Sequence, residues 1–154
     1  MEVLSGQDLN VISRLVLAVI LGGVIGLDRE RADKPAGFRT HMLVCASSAA
    51  LVILGEQIAL RYREILGADI IRTDPVRVLQ TIITGISFIG AGTILRHRQG
   101  AVEGLTTAAT LLFAATIGIG VGIGAYLLAI VATLFVVLIL ILGVRIEEWL
   151  GMRK

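Results

Sequence analysis

The residues with chemistry to offer are concentrated in one stretch, Gly22 to Val44, GGVIGLDRERADKPAGFRTHMLV. Between two apolar segments it places the acids Asp28, Glu30 and Asp33, the bases Arg29, Arg31, Lys34 and Arg39, His41, and the hinge pair Pro35 and Gly37. Asp28 and Glu30, joined by Glu103 from further along, are hard oxygen ligands of the kind Mg²⁺ accepts, usually with several waters retained. On that reading Asp28, Arg29, Glu30, Lys34, Arg39, His97 and Glu103 form an ion-gating or metal-sensing cluster. The interleaved bases support another reading, a salt-bridge clasp that fixes the helix ends, and no spacing here is diagnostic of a metal.

Two further constellations lie in apolar surroundings. Arg77, Gln80, Thr81, Thr84 and Ser87 recur at helical spacing, as do Glu103, Thr106, Thr107, Thr110 and Ala114. With Ser47 and Ser48 these hydroxyls either line a wet path or act as interhelical hydrogen-bond glue. Asp74 and Arg77 read as a helix start with a local ion pair, and Glu56 as an acid snorkelled to a span end. Catalysis has little support. His41 and His97 have no evident nucleophile partner, and Cys45 has no electropositive setting on its own helix. The expectation is a protein that is not an enzyme.

The elements that hold these residues follow from composition. The chain has 154 residues, 56% of them hydrophobic and 17% charged, against about 45–50% apolar in a soluble domain. Gly104 to Val144 contains no Asp, Glu, Lys or Arg, which is room for two spans of about 20 residues each. The fold class is therefore all-α, a polytopic transmembrane helix bundle of about five spans forming a single domain over 1–154. The spans are expected near 8–27, 40–60, 75–95, 102–117 and 125–144. The N-terminus lacks a basic stretch before its apolar core and reads as a retained first span, not a signal peptide.

Gly22 and Gly26 form a close-packing GxxxG pair. Asp74-Pro75 marks a sharp helix start. Span 2 is expected to overshoot the membrane. Glycine at every second position from Gly118 to Gly124 is read as a tight turn or distorted helix end, with helix packing the alternative. Cys45 reads as a small buried hydrophobe. Span 5 is almost wholly aliphatic after Thr133, which suits lipid contact, and Trp149 is an interfacial anchor.

Five spans put the termini on opposite sides. Connectors 1 and 3 with the C-terminus carry nine Lys and Arg, and the other side carries five. Bases favour the cytoplasmic side, so the N-terminus is expected outside and the C-terminus in the cytoplasm. The partners implied are the lipid bilayer, further copies in a homo-oligomer, and a partner membrane protein. The bases are explained by topology and headgroups, so nucleic acid is not among them.

Four ordered blocks resemble the MgtC/SapB membrane proteins. They are Gly22 to Val44, then Asp74-Pro75-Val76-Arg77, then Gly85 to Ile94 (GISFIGAGTI), then Val102 to Ala109 (VEGLTTAA). The resemblance implies a bacterial inner-membrane bundle of about five helices linked to magnesium homeostasis, with Mg²⁺ as the candidate ion. It implies importance for Asp28, Arg29, Glu30, Lys34, Arg39, Thr40, Asp74, Arg77, Gly90, Gly92, Thr93, Glu103, Thr106 and Thr107. Longer relatives carry a soluble domain after the last span, and the sequence, ending at Lys154, reads as a short form. The expected role is a regulator acting through helix contacts with itself or partner complexes; the alternative is an ion or small-solute conduit through the Thr/Ser-lined bundle.

Overall fold

A computed structural model describes residues 6–66, 74–96 and 102–151. His97 and Arg98 lie outside the described residues. The element order is α1 (Gly6–Arg31), α2 (Phe38–Leu66), α3 (Pro75–Gly92), β1 (Leu95–Arg96), β2 (Val102–Glu103), α4 (Leu105–Gly122) and α5 (Tyr126–Trp149). The protein is an all-α bundle. Four of its helices are long and apolar enough to cross a membrane, α1, α2, α4 and α5. The third helix ends before the expected 75–95: α3 runs Pro75–Gly92, 18 residues, the same length as α4, a rise of about 27 Å.

Glycine contacts fix the relative directions. A Cβ on Gly22 would press on His41 and Cys45, and one on Gly26 on Phe38, so α1 and α2 run antiparallel. Gly118 lies against Cys45 and Ser48, and Gly122 against Ala49 and Val52, so α4 runs parallel to α2. Gly55 faces Val78 and Gly90 faces Ala108, so α3 runs opposite to both. Successive helices therefore alternate in direction, α3 included. The first described residues and the end of α5 lie at opposite ends of the bundle.

The centre is α4. In its apolar window 61% of residues are buried, against 22% in α5, so α4 is the post and α5 an outer helix. α5 buries one narrow stripe, Ala129, Thr133, Val136 and Leu140, at the spacing of one helix face. Its remaining Leu, Ile and Phe side chains point outward, which is the arrangement lipid requires. One core cluster joins Ile25, Cys45, Ala49, Ile117 and Val121. The other joins Val44, Val52, Ile82, Ile86, Leu111 and Ala115.

Several boundaries differ from expectation, each for a local reason. α1 does not stop at Leu27. It carries Asp28, Arg29 and Glu30 on its last turns, where Arg29 and Arg31 complement the helix C-terminus. α2 reaches Leu66, past the expected end at residue 60. α3 starts where Asp74 and Pro75 predict: the Asp74 carboxylate accepts the Val76 N–H at 3.0 Å. The fourth helix is displaced. Residues 102 and 103 are not helical but pair antiparallel with β1, Leu95 opposite Glu103 and Arg96 opposite Val102. Gly104, at φ 90°, then turns the chain into α4. A side chain there would strike the Thr93 carbonyl. At the other end the glycine run is no turn before Gly122. Gly118, Gly120 and Gly122 lie inside α4 and are buried.

Candidate functional site

Connector 1, the start of α4 and the last turns of α5 meet at one end of the bundle. Between them lies a cleft of about 810 Å³. Arg29, Asp33, Lys34, Glu103, Thr106, Thr107 and Glu147 give it its polar lining, and Ile139, Leu140, Gly143 and Val144 of α5 give it an apolar wall. Five of the residues picked out from sequence thus come together: Arg29, Lys34, Glu103, Thr106 and Thr107. The first turn of α4 also opens here. Its free N–H groups carry partial positive charge, which suits the acid at Glu103. The cleft is mixed in charge, with three acids and two bases among its lining.

Asp28 and Glu30 do not join Glu103 as a ligand set. Asp28 is held by its neighbour: Arg29 Nε donates to Asp28 Oδ2 at 2.9 Å, and Arg29 Nη2 meets the same oxygen. Arg29 is only 4% exposed, and a buried guanidinium needs such a partner. Glu30 is exposed, and its Oε2 accepts the Phe38 N–H at 2.9 Å, capping α2. A Cβ on Gly37 would collide with that carboxylate, so Gly37 serves by having no side chain. The positive φ in this connector belongs to Asp33, at 51°. Among the described residues no three His, Cys, Asp or Glu side chains gather as a metal site. Direct coordination of Mg²⁺ by Asp28, Glu30 and Glu103 therefore has no assembled donor set.

Arg39 is exposed on the first turn of α2 and Thr40 is half-buried beside it, neither in the cleft lining. Thr93 caps the end of α3, donating from Oγ1 to the Gly90 carbonyl at 2.7 Å. Gly90 packs on Ala108, while Gly92 faces open space. Asp74 and Arg77 stand at the opposite end of the bundle, at the start of α3. The two hydroxyl stripes do not share a path. Thr107 and Thr110 are buried, whereas Gln80, Thr81, Thr84 and Ser87 are exposed on the outside of α3.

Three features went unread in the sequence. Glu147 enters the cleft because α5 continues past Val144; the spacing Leu140, Gly143, Val144, Glu147 was the available signal. His41 is fully buried. Its Nδ1–H donates to the Gly37 carbonyl at 2.9 Å, and its Nε2 lies 3.0 Å from Thr110 Oγ1, which itself bonds the Thr107 carbonyl at 2.9 Å. This chain ties the connector through α2 to the cleft-lining turn of α4. At the far end Arg14 donates to the Gly122 carbonyl at 3.0 Å and pairs with Glu56 at 3.5 Å. Glu56, read from sequence as an acid snorkelled to a span end, is more than half exposed, and with Arg14 it bridges α1, α2 and the end of α4.

The fold and cleft define a multi-span integral membrane protein with a charge-lined cleft at one end. A family profile described as the MgtC family matches residues 15–149, and the chain belongs to that family. It is 40% identical over 129 residues to the Escherichia coli K12 protein named "Putative magnesium transporter YhiD", covering 84% of this chain and 58% of that one. It is 37% identical over 131 residues to protein SapB of Bacillus subtilis, covering 85% and 55%. It is 35% identical over 140 residues to protein MgtC of Brucella abortus, covering 89% and 54%. The chain thus spans little more than half the length of these relatives. No solved structure matches it.

Proposed function

We propose that this protein serves magnesium homeostasis in the bacterial inner membrane as a non-catalytic regulator, working through its cleft by contact with itself or with partner membrane complexes. The magnesium link rests on the relative named for magnesium transport. The excess of bases on connectors 1 and 3 and the C-terminus supports a cytoplasmic cleft end and an outside N-terminus. The observation that carries the regulator reading is the character of the cleft. It combines opposed charges with an aliphatic wall, which suits a protein segment better than a bare ion. Below it Leu111, Ala114, Ala115 and Ile117 are buried apolar side chains, packing that favours a regulator over a wet path.

The second reading is a conduit for an ion or small solute, favoured by the name of that same relative. Growth at low magnesium tests the cleft. In cells that depend on this protein, Glu103→Gln with Glu147→Gln abolishes the growth benefit at unchanged membrane abundance. Full growth with both carboxylates gone would remove the cleft from the function.

A further inference from the structure

The face of α3 that points away from the bundle is polar along much of its length. Ile82, Ile86 and Gly90 form the buried side of this helix. On the opposite side Arg77, Gln80, Thr81, Thr84, Gly85, Ser87, Phe88 and Gly92 are exposed. Thr81 and Thr84 satisfy their hydroxyls on their own helix, donating to the carbonyls of Arg77 and Gln80 at 2.9 and 2.8 Å. Gln80 has four hydrogen-bonding sites and no lipid atom to meet them. Polar side chains inside a bilayer face protein or water, not acyl chains, so this face is unsuited to lipid and fits a protein partner.

We propose that the cover is a second copy of this chain, packed α3 against α3 about a twofold axis normal to the membrane. The face is complementary to itself in the way such an axis demands, with each residue meeting its own level on the other copy. At the helix start Asp74 and Arg77, both exposed and three residues apart, exchange partners, so that each copy's carboxylate reaches the other's guanidinium. One turn on, Gln80 meets Gln80, and an amide both donates and accepts. Toward the other end Phe88 stands 83% exposed, flanked at helical spacing by Gly85 and Gly92. Both glycines have nothing within 4 Å of a built Cβ. Phe88 of one copy is a knob, and the glycine pair of the other leaves the hole. This pairing depends on the chain spanning a membrane and not on the regulator role, so its failure would leave the cleft reading untouched.

Cysteine cross-linking in native membranes tests it. In a Cys45→Ala background, Thr84→Cys on α3 oxidises to a product of twice the monomer mass, at least fivefold more abundant than from Leu134→Cys on the lipid-facing side of α5. In liposomes, Gln80→Leu with Gly85→Leu weakens energy transfer between labelled copies roughly tenfold, because two interhelical amide bonds and the hole are lost. Gln80 is exposed and nothing lies within 4 Å of a Cβ built on Gly85, so folding is preserved, and thermal unfolding checks this. A Thr84→Cys chain that stays monomeric, that cross-links to a protein of another mass, or that yields no more dimer than Leu134→Cys would overturn the proposal. So would energy transfer unchanged in the double variant.

Discussion

Gly118→Ala adds one methyl group where α4 crosses α2, and the structure sets its cost. The new Cβ would lie 2.9 Å from the Cys45 carbonyl carbon and 3.0 Å from Ser48 Cβ, closer still to the carbonyl oxygen. These atoms are backbone or the root of a side chain, so no rotamer change relieves them. Comfortable carbon contacts are about 3.5–4.0 Å, so the two helices must separate by about half an ångström or more. That loosens the packing of Cys45, Ala49, Ile117 and Val121, all within 1% of full burial. Overpacking of this kind costs about 1–3 kcal/mol, offset by up to about 1 kcal/mol from replacing a helical glycine. The matched control is Gly143→Ala on α5, where nothing lies within 4 Å and only the propensity gain remains. Thermal unfolding in detergent compares them. Gly118→Ala melts several degrees below the parent and Gly143→Ala does not. Equal melting of the two variants would refute the close approach of α2 and α4.

Two further substitutions probe the connections around the cleft. Thr110→Val leaves His41 Nε2 buried without its partner, at a cost of about 1–3 kcal/mol. Thr116→Val, whose exposed hydroxyl bonds only its own helix at Leu112, shifts the same melting curve little. Glu30→Ala removes the acceptor of the Phe38 N–H, a loss of about 0.5–2 kcal/mol typical of a helix cap. Its signature is faster hydrogen exchange at Phe38 and the next residues of α2, with exchange in α4 unchanged.

The helices and their order were legible because bilayer-length apolar runs leave few alternatives. Asp74-Pro75 was legible because an N-cap followed by proline is a local signal, decided within three residues. The Gly22/Gly26 pair was legible as a contact surface for the same reason. The glycine run in α4 was not. Local propensity argues against a helix there, and only the proximity of α2 to Gly118 and Gly122 and of α5 to Gly120, invisible along the chain, makes three missing side chains favourable. The two short strands escaped notice because a pairing of two residues on each side has no periodicity to read.

At the cleft, residue types were legible and pairings were not. Asp28, Glu30 and Glu103 are all hard ligands by chemistry, yet their partners separate them. Asp28 is taken by Arg29 next door, Glu30 by an amide eight residues on, and only Glu103 faces the cleft. Gly37 was read for backbone freedom, but it is the room for the Glu30 carboxylate that excludes a side chain. His41 looked inert because its partner Thr110 is 69 residues away. Such distant pairings belong to packing, which a single sequence does not display.

Magnesium flux through purified protein in liposomes bears most directly on the account. With a Mg²⁺-sensitive dye inside the vesicles and Mg²⁺ added outside, the regulator reading predicts entry no faster than in protein-free vesicles, for the parent and for Glu103→Gln alike. Entry that requires the protein and falls in Glu103→Gln would contradict the regulator and establish a conduit.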